Sequence, residues 1–162
     1  MEALGFRDDM ADKSAVAAQN SLQLIAFSIG EQTYGVEITT VREIRAWNGA
    51  TPLPNTREFV RGVINLRGTI VPIFDLRARF GDGPTSPTKN HVVVVMSMGD
   101  KWVGILVDAV SDILTVSRDD IHNVPEGNSI DTELLNGLVT HESRMVGLID
   151  LHAVVSGAKM DS

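Results

Sequence analysis

The strongest constraint on this chain is that it is written twice. FSIGEQTYGVEITTVREI, starting at Phe27, lies without a gap on MSMGDKWVGILVDAVSDI, starting at Met96. Ser28 meets Ser97, Gly30 meets Gly99, Glu31 meets Asp100, Gly35 meets Gly104, Val41 meets Val110 and Glu43 meets Asp112. Ile29, Val36, Ile38 and Ile44 each meet an apolar residue. A second pair follows in the same order: GVINLRGTIVPIFDL from Gly62 matches GLVTHESRMVGLIDL from Gly137, and both copies open on Gly and close on Asp–Leu. Two blocks repeated in one order imply two copies of one supersecondary plan.

The plan is built from strands. LQLIAFSIG turns at EQT into YGVEI, and HVVVVMSMG turns at DK into WVGILVDAV. Both pairs carry the β-branched and aliphatic enrichment of buried strands. In TTVREIRAW, Val41, Ile44 and Trp47 recur at spacing three, which fits a short amphipathic helix or an extended strand. The expected fold is mainly β, with short helical turns and two similar lobes of antiparallel strands. Lobe 1 is expected over residues 22–81, the Gly–Pro linker GDGPTSPTKN over 81–90, and lobe 2 over 91–156. Residues 1–21 read as a disordered leader and 157–162 as a tail. A lobe of about 60 to 70 residues is marginal alone, so the two should share a buried face. Closing each into a small barrel would also hide its strand edges.

Composition removes several function classes. The formal charge of −7 argues against a general nucleic-acid binder, because neutralising phosphates needs a basic surface. With no cysteine there is no disulfide framework, thiolate metal site or thiol nucleophile. The chain lacks a bilayer-spanning apolar run and a secretory signal, so it reads as a soluble cytoplasmic protein. His91, His122, His141 and His152 share no metal-ligand spacing, and nucleophile-elbow and P-loop motifs are missing. No cofactor is expected. Glu43 and Asp112 hold equivalent repeat positions, which would put them in corresponding corners of separate lobes instead of in one acid–base pair. Asp75 and Asp150 should cap or end the last strand of each copy. What remains is a surface suited to holding other proteins, by a groove between lobes or by exposed strand edges.

A charge, Arg67, sits at the centre of the most apolar stretch, FVRGVINLRGTIVPIFDLRARFG. There Arg67–Gly68 fits the tip of a hairpin, with Gly68 supplying a positive φ and Arg67 placed at a rim. The second copy carries Glu142–Ser143 at the tip, so the turn does not need an arginine to fold. A solvated turn residue is the alternative reading of Arg67. Pro72 cannot donate to a ladder, which suggests an edge or bulged strand.

YGVEI…VREI, the RGVINLRGTIVPIFDLR run, VGILVDAVSDI and NGL…RMVGLIDL resemble, in this order from about Leu22 to Val155, the CheW family of bacterial chemotaxis coupling proteins. The resemblance implies two SH3-like five-stranded β-barrels and a non-enzymatic adaptor. Such an adaptor would couple the cytoplasmic tips of transmembrane chemoreceptors to the regulatory domain of the histidine kinase CheA. It would meet the membrane only through the receptors, in signalling arrays. By motif, it assigns kinase or receptor binding to Val41, Glu43, Gly62, Arg67 and Gly68, and, at second-lobe positions, to Val92, Val93, Gly104, Ile113 and Gly137. Several of these glycines can act by supporting the backbone. A stand-alone regulatory or small-ligand-binding β module is the alternative function.

Overall fold

The computed structural model describes residues 20–125 and 133–156. Most of the leader expected at 1–21 and the tail expected at 157–162 lie outside the described residues, and Ser21 already opens the first strand. The strands are β1 Ser21–Ile29, β2 Gln32–Glu37, β3 Val41–Ala46, β4 Val60–Leu66, β5 Thr69–Asp75, β6 Val92–Met98, β7 Lys101–Val107, β8 Ala109–Ser117, β9 Leu135–His141 and β10 Arg144–Ile149. Short helices follow β5 and β10: α1 Leu76–Arg79 and α2 Leu151–Val155. The first repeat is therefore β1–β5 with α1 and the second β6–β10 with α2. The ambiguous TTVREIRAW is a 3₁₀ turn, Ile38–Thr40, followed by strand β3.

The ten strands form two five-stranded sheets, ordered β8-β1-β2-β10-β9 and β3-β6-β7-β5-β4. The fold is mainly β, as the repeat suggests. The lobes, however, are not the consecutive halves 22–81 and 91–156. Each repeat gives its first hairpin to the other's sheet. Hairpin β1–β2 lies between β8 and β10, and hairpin β6–β7 lies between β3 and β5. The two sheets are called here the β1 lobe and the β6 lobe. The physical cause is the brevity of two connections. The 3₁₀ turn Ile38–Thr40 joins β2 to β3, and Asp108 alone joins β7 to β8. Neither connection folds back on its own hairpin, so the chain steps into the neighbouring sheet. Isolated bridges nearly close each sheet: Thr51 to Val63 in the β6 lobe, and His122 to Leu138 in the β1 lobe.

The exchange explains why the hairpin sequences are apolar on both faces. Val93 and Val95 of β6 fill the β6 lobe with Leu66, Val71, Ile73 and Leu106. Their neighbours Val94 and Met96 face the other way, into a core shared by both sheets. β1 does the same. Leu22, Leu24 and Ala26 fill the β1 lobe with Leu114, Val116, Val139, Val146 and Leu148. Ile25, Phe27 and Ile29 enter the shared core beside Tyr34, Phe74, Ile105 and Ile149. A strand buried on both faces reads as a continuous apolar run instead of an alternation.

Two carboxylates end the repeats. Asp75 accepts from Ala78 N at the start of α1, and Asp150 from Ala153 N at the start of α2. Asp75 does more. It is fully buried, and it also accepts from Thr85 N at 2.7 Å and Thr85 Oγ1 at 2.6 Å, with the Arg61 guanidinium 3.5 Å away. Arg61 is the extra residue of a bulge in β4, between Val60 and Gly62. The bulge is thus in β4, and β5, which carries Pro72, is an inner strand. Pro72 is tolerated there because the ladder of β5 with β7 begins one residue later, at Ile73. Arg79 ties the lobes together: it donates to the carbonyls of Ala153 and Val154 at the end of α2, each at 3.0 Å, and lies over the Phe59 ring. Burial lowers its pKa, and Glu133 opposes that shift.

Candidate protein-binding surface

The hairpin exchange redistributes the residues singled out in the sequence. Val92, Val93 and Gly104 do not sit with the second copy; they share the β6 lobe with Val41, Glu43, Gly62, Arg67 and Gly68. Val92 and Val93 are the ladder partners of Ala46 and Arg45 on β3. Only Ile113, on β8, and Gly137, on β9, belong to the β1 lobe.

These residues do different jobs. Glu43 and Arg67 meet at a corner of the β6 lobe. Arg67 Nη2 donates to Glu43 Oε1 at 2.8 Å, and Arg45 approaches the other carboxylate oxygen at 3.5 Å. Arg67 is 68% exposed, so the charge in the apolar stretch is a rim charge. Arg67 and Gly68 both have positive φ, 52° and 91°. That is the pairing of a two-residue type I′ hairpin. The Asn65 side chain accepts from Gly68 N at 2.7 Å and braces the turn.

The other residues at this end are packing residues. Val93 is buried in the β6 lobe, and Val41 and Val92 pack on the shared core. A Cβ on Gly104 would lie 2.6 Å from Ile73 Cδ1 and 2.9 Å from Val93 Cγ1; one on Gly62 would lie 2.2 Å from the Thr51 carbonyl oxygen. A Cβ on Gly137 would lie 2.8 Å from Ile121 Cγ2 and 3.1 Å from the His122 carbonyl oxygen. Substitution at these glycines would therefore act through core packing or the backbone, which separates them from Glu43 and Arg67.

Of the apolar part of the surface, sequence reading singled out Ile113 and missed Ile44, Ile70 and Met145. On β3 the usual alternation is inverted. Glu43 and Arg45 are half-buried, while Ile44 between them is 44% exposed. Ile70, on β5 just past the Arg67–Gly68 tip, is 59% exposed. The same positions of the second repeat are Ile113 and Met145, also exposed. Each lobe thus presents a pair of large apolar side chains at matching places. The available signal was an isoleucine flanked by charges within a strand, at positions that stay large and apolar in both copies. Exposed apolar positions repeated in this way mark contact surfaces more readily than scattered ones.

Between the lobes runs a groove of about 440 Å³, walled by Leu24, Val36 and Leu148 from the β1 lobe, Met96 and Met98 from β6, and Leu151 from α2. Its methionines are unbranched and can adapt to an apolar occupant. Among the described residues there is no cluster of three or more His, Asp or Glu able to hold a metal ion. Nor is any helix there long and apolar enough to cross a membrane. Glu43 and Asp112 lie on β3 and β8, equivalent strands of different sheets, so no acid–base pair is assembled from them.

Comparison with known proteins gives a consistent answer. Residues 23–159 match the family described as CheW-like domain. The chain is 46% identical over 133 residues to the chemotaxis protein CheW of Rhizobium meliloti, covering 82% of this chain and 86% of that protein. It is 45% identical over 145 residues to a probable chemotaxis protein CheW of Rhizobium etli, covering 89% and 94%. Among solved structures, the scaffolding protein TtCheW of Thermoanaerobacter tengcongensis superposes with a TM-score of 0.77 at 33% identity, over 86% of this chain and 92% of that one.

Proposed function

The chain belongs to the CheW-like family of chemotaxis scaffolding proteins, which act without catalysis, and from that premise we propose that it couples chemoreceptors to the histidine kinase CheA by binding both. The β6-lobe surface that carries Glu43, Ile44, Arg67 and Ile70 docks on the kinase's regulatory domain. The groove between the lobes takes the helical hairpin of a receptor's cytoplasmic tip. The protein is cytoplasmic and reaches the membrane through receptor arrays.

One observation carries this reading. An ion pair with a mostly exposed arginine lies on the lobe that also exposes Ile44 and Ile70, on a hairpin tip whose twin in the other repeat folds without the arginine. Folding therefore does not account for Arg67. An interface of ordinary size hides about 800 Å² per partner. Its energy would come from the apolar contacts, while Glu43 and Arg67 set register and partner choice. Affinity of about −8 kcal/mol suffices, because multivalency in an array supplies the rest. Signalling requires that the two receptor states bind with different affinity, since equal affinity shifts nothing.

The test is Arg67→Glu. It should weaken co-purification with the kinase regulatory domain or with a receptor tip fragment, and leave thermal unfolding nearly unchanged. Loss of folding would instead make Arg67 a structural residue and remove the reading.

A further inference from the structure

The exchanged topology has a consequence for self-association. Hairpin β1–β2 forms the middle of the β1 lobe, yet the rest of that sheet belongs to the second repeat. Within the described residues the hairpin has one covalent tie, the 3₁₀ turn Ile38–Thr40, and that tie leads into the other lobe. Hairpin β6–β7 differs, because it is tethered on both sides, through the segment after α1 and through Asp108. We infer that β1–β2 is an exchangeable element, and that the hairpin of a second copy of this chain completes the β1 lobe in a reciprocal dimer.

Three features support it. The hairpin's ladders run only to β8 and β10, with Leu22–Val116 and Leu24–Leu114 among the pairs on one side and Tyr34–Gly147 on the other. A second copy offers the same strands, so every ladder and core contact is remade in the exchanged form. The hinge also costs little to open. None of its residues is buried, only Ile38 packs in part on the shared core, and its local bonds, Thr40 Oγ1 to the Glu37 carbonyl and Val41 N to the Ile38 carbonyl, can pass to water. Extended, its three residues reach about 10 Å. Finally, the hairpin tip is held by a latch that any copy supplies. Gly30 N donates to Asp108 Oδ2 at 2.7 Å and Asp108 N donates to the Ser28 carbonyl at 3.0 Å, with Arg77 and His91 on the same carboxylate. Short hinges of this kind favour element exchange.

The absence of cysteine makes a direct test available. Gln23 on β1 faces Thr115 on β8, and both are exposed. Facing strand residues lie within disulfide range. Full-length Gln23→Cys and Thr115→Cys single variants are mixed, unfolded in denaturant, refolded together from concentrated solution and oxidised. In the exchanged dimer, the cysteine of one variant faces the cysteine of the other. The mixed disulfide should therefore exceed either homodisulfide by about tenfold, and its share should rise with chain concentration during refolding. Inserting Gly-Ser-Gly-Ser after Thr39 relaxes the hinge and should lower that share several-fold. Unlinked monomer alone, disulfides formed without preference for the mixed pair, or a share indifferent to the insertion would each overturn the inference. None of these readouts involves a kinase or receptor, so the result is independent of the proposed function.

Discussion

The β4–β5 tip and the β9–β10 tip are the same turn used in two ways. Arg67–Gly68 has φ of 52° and 91°, and Glu142–Ser143 has φ of 50° and 68°, so both are two-residue turns in the left-handed region. Each lobe also joins this end of the hairpin to its outer strand by an ion pair. In the β6 lobe the cation is Arg67 at the tip, 2.8 Å from Glu43 of β3. In the β1 lobe it is Arg144, at the start of β10, 3.7 Å from Asp112 of β8. The carboxylates are repeat equivalents and the arginines are not. Backbone geometry has been kept while the placement of charge has diverged, so what the fold requires and what a partner reads can be separated residue by residue.

The sharpest way to break the equivalence is at the two capping aspartates. Asp75→Ala strands the Thr85 and Ala78 donors and removes the carboxylate partner of Arg61, which keeps only the Thr85 carbonyl among the bonds it makes here, and should cost about 3 to 5 kcal/mol. Asp150→Ala loses a helix cap and should cost about 1 kcal/mol. Urea denaturation of both variants checks the ranking. Next comes the glycine pair. Gly104→Val drives a side chain into Ile73 and Val93 and should destabilise by about 1 to 3 kcal/mol. At Gly35 the nearest side-chain atom, Val146 Cγ1, stands at 3.3 Å, so Gly35→Val should cost less in the same experiment.

Charge reversal sharpens the comparison on the functional side. Arg67→Glu should reduce affinity for the partner bound at the β6-lobe corner by about tenfold, whereas Arg144→Glu should leave that affinity within about twofold. Because both pairs are solvent-facing, each reversal should change stability by no more than about 1 kcal/mol. Titration calorimetry and thermal melts separate the two effects. The smallest effect lies in the turns themselves. Ser143→Gly should raise stability by about 0.5 to 1 kcal/mol by relieving a positive φ, and Gly68→Ser should lower it by a similar amount, read as opposite shifts in melting temperature.

The repeat carried the strand plan, the Arg67–Gly68 turn and the capping aspartates, because each follows from local chemistry: a positive φ, a short polar side chain at a strand end, a two-faced apolar run. It did not carry the exchange of hairpins. Matching residues show that two units are alike, and a unit whose strands pair internally reads the same as one that trades a hairpin. The difference lies in the reach of Ile38–Thr40 and of Asp108, which a repeat alignment does not weigh. For the same reason Val92, Val93 and Gly104 were placed with the wrong lobe. Ile44 was read as an apolar position of the repeat because its exposure depends on which face of β3 the β6 lobe leaves open.

The proposed coupling requires this chain to hold two partners at once through separate surfaces. Isotopically labelled protein titrated separately with the kinase regulatory domain and with a receptor tip fragment tests it most directly. The prediction is two disjoint sets of shifted amide resonances, one around Glu43, Ile44, Arg67 and Ile70, the other along the groove lined by Val36, Met98 and Leu151. A single shared set, with each partner displacing the other, would contradict it.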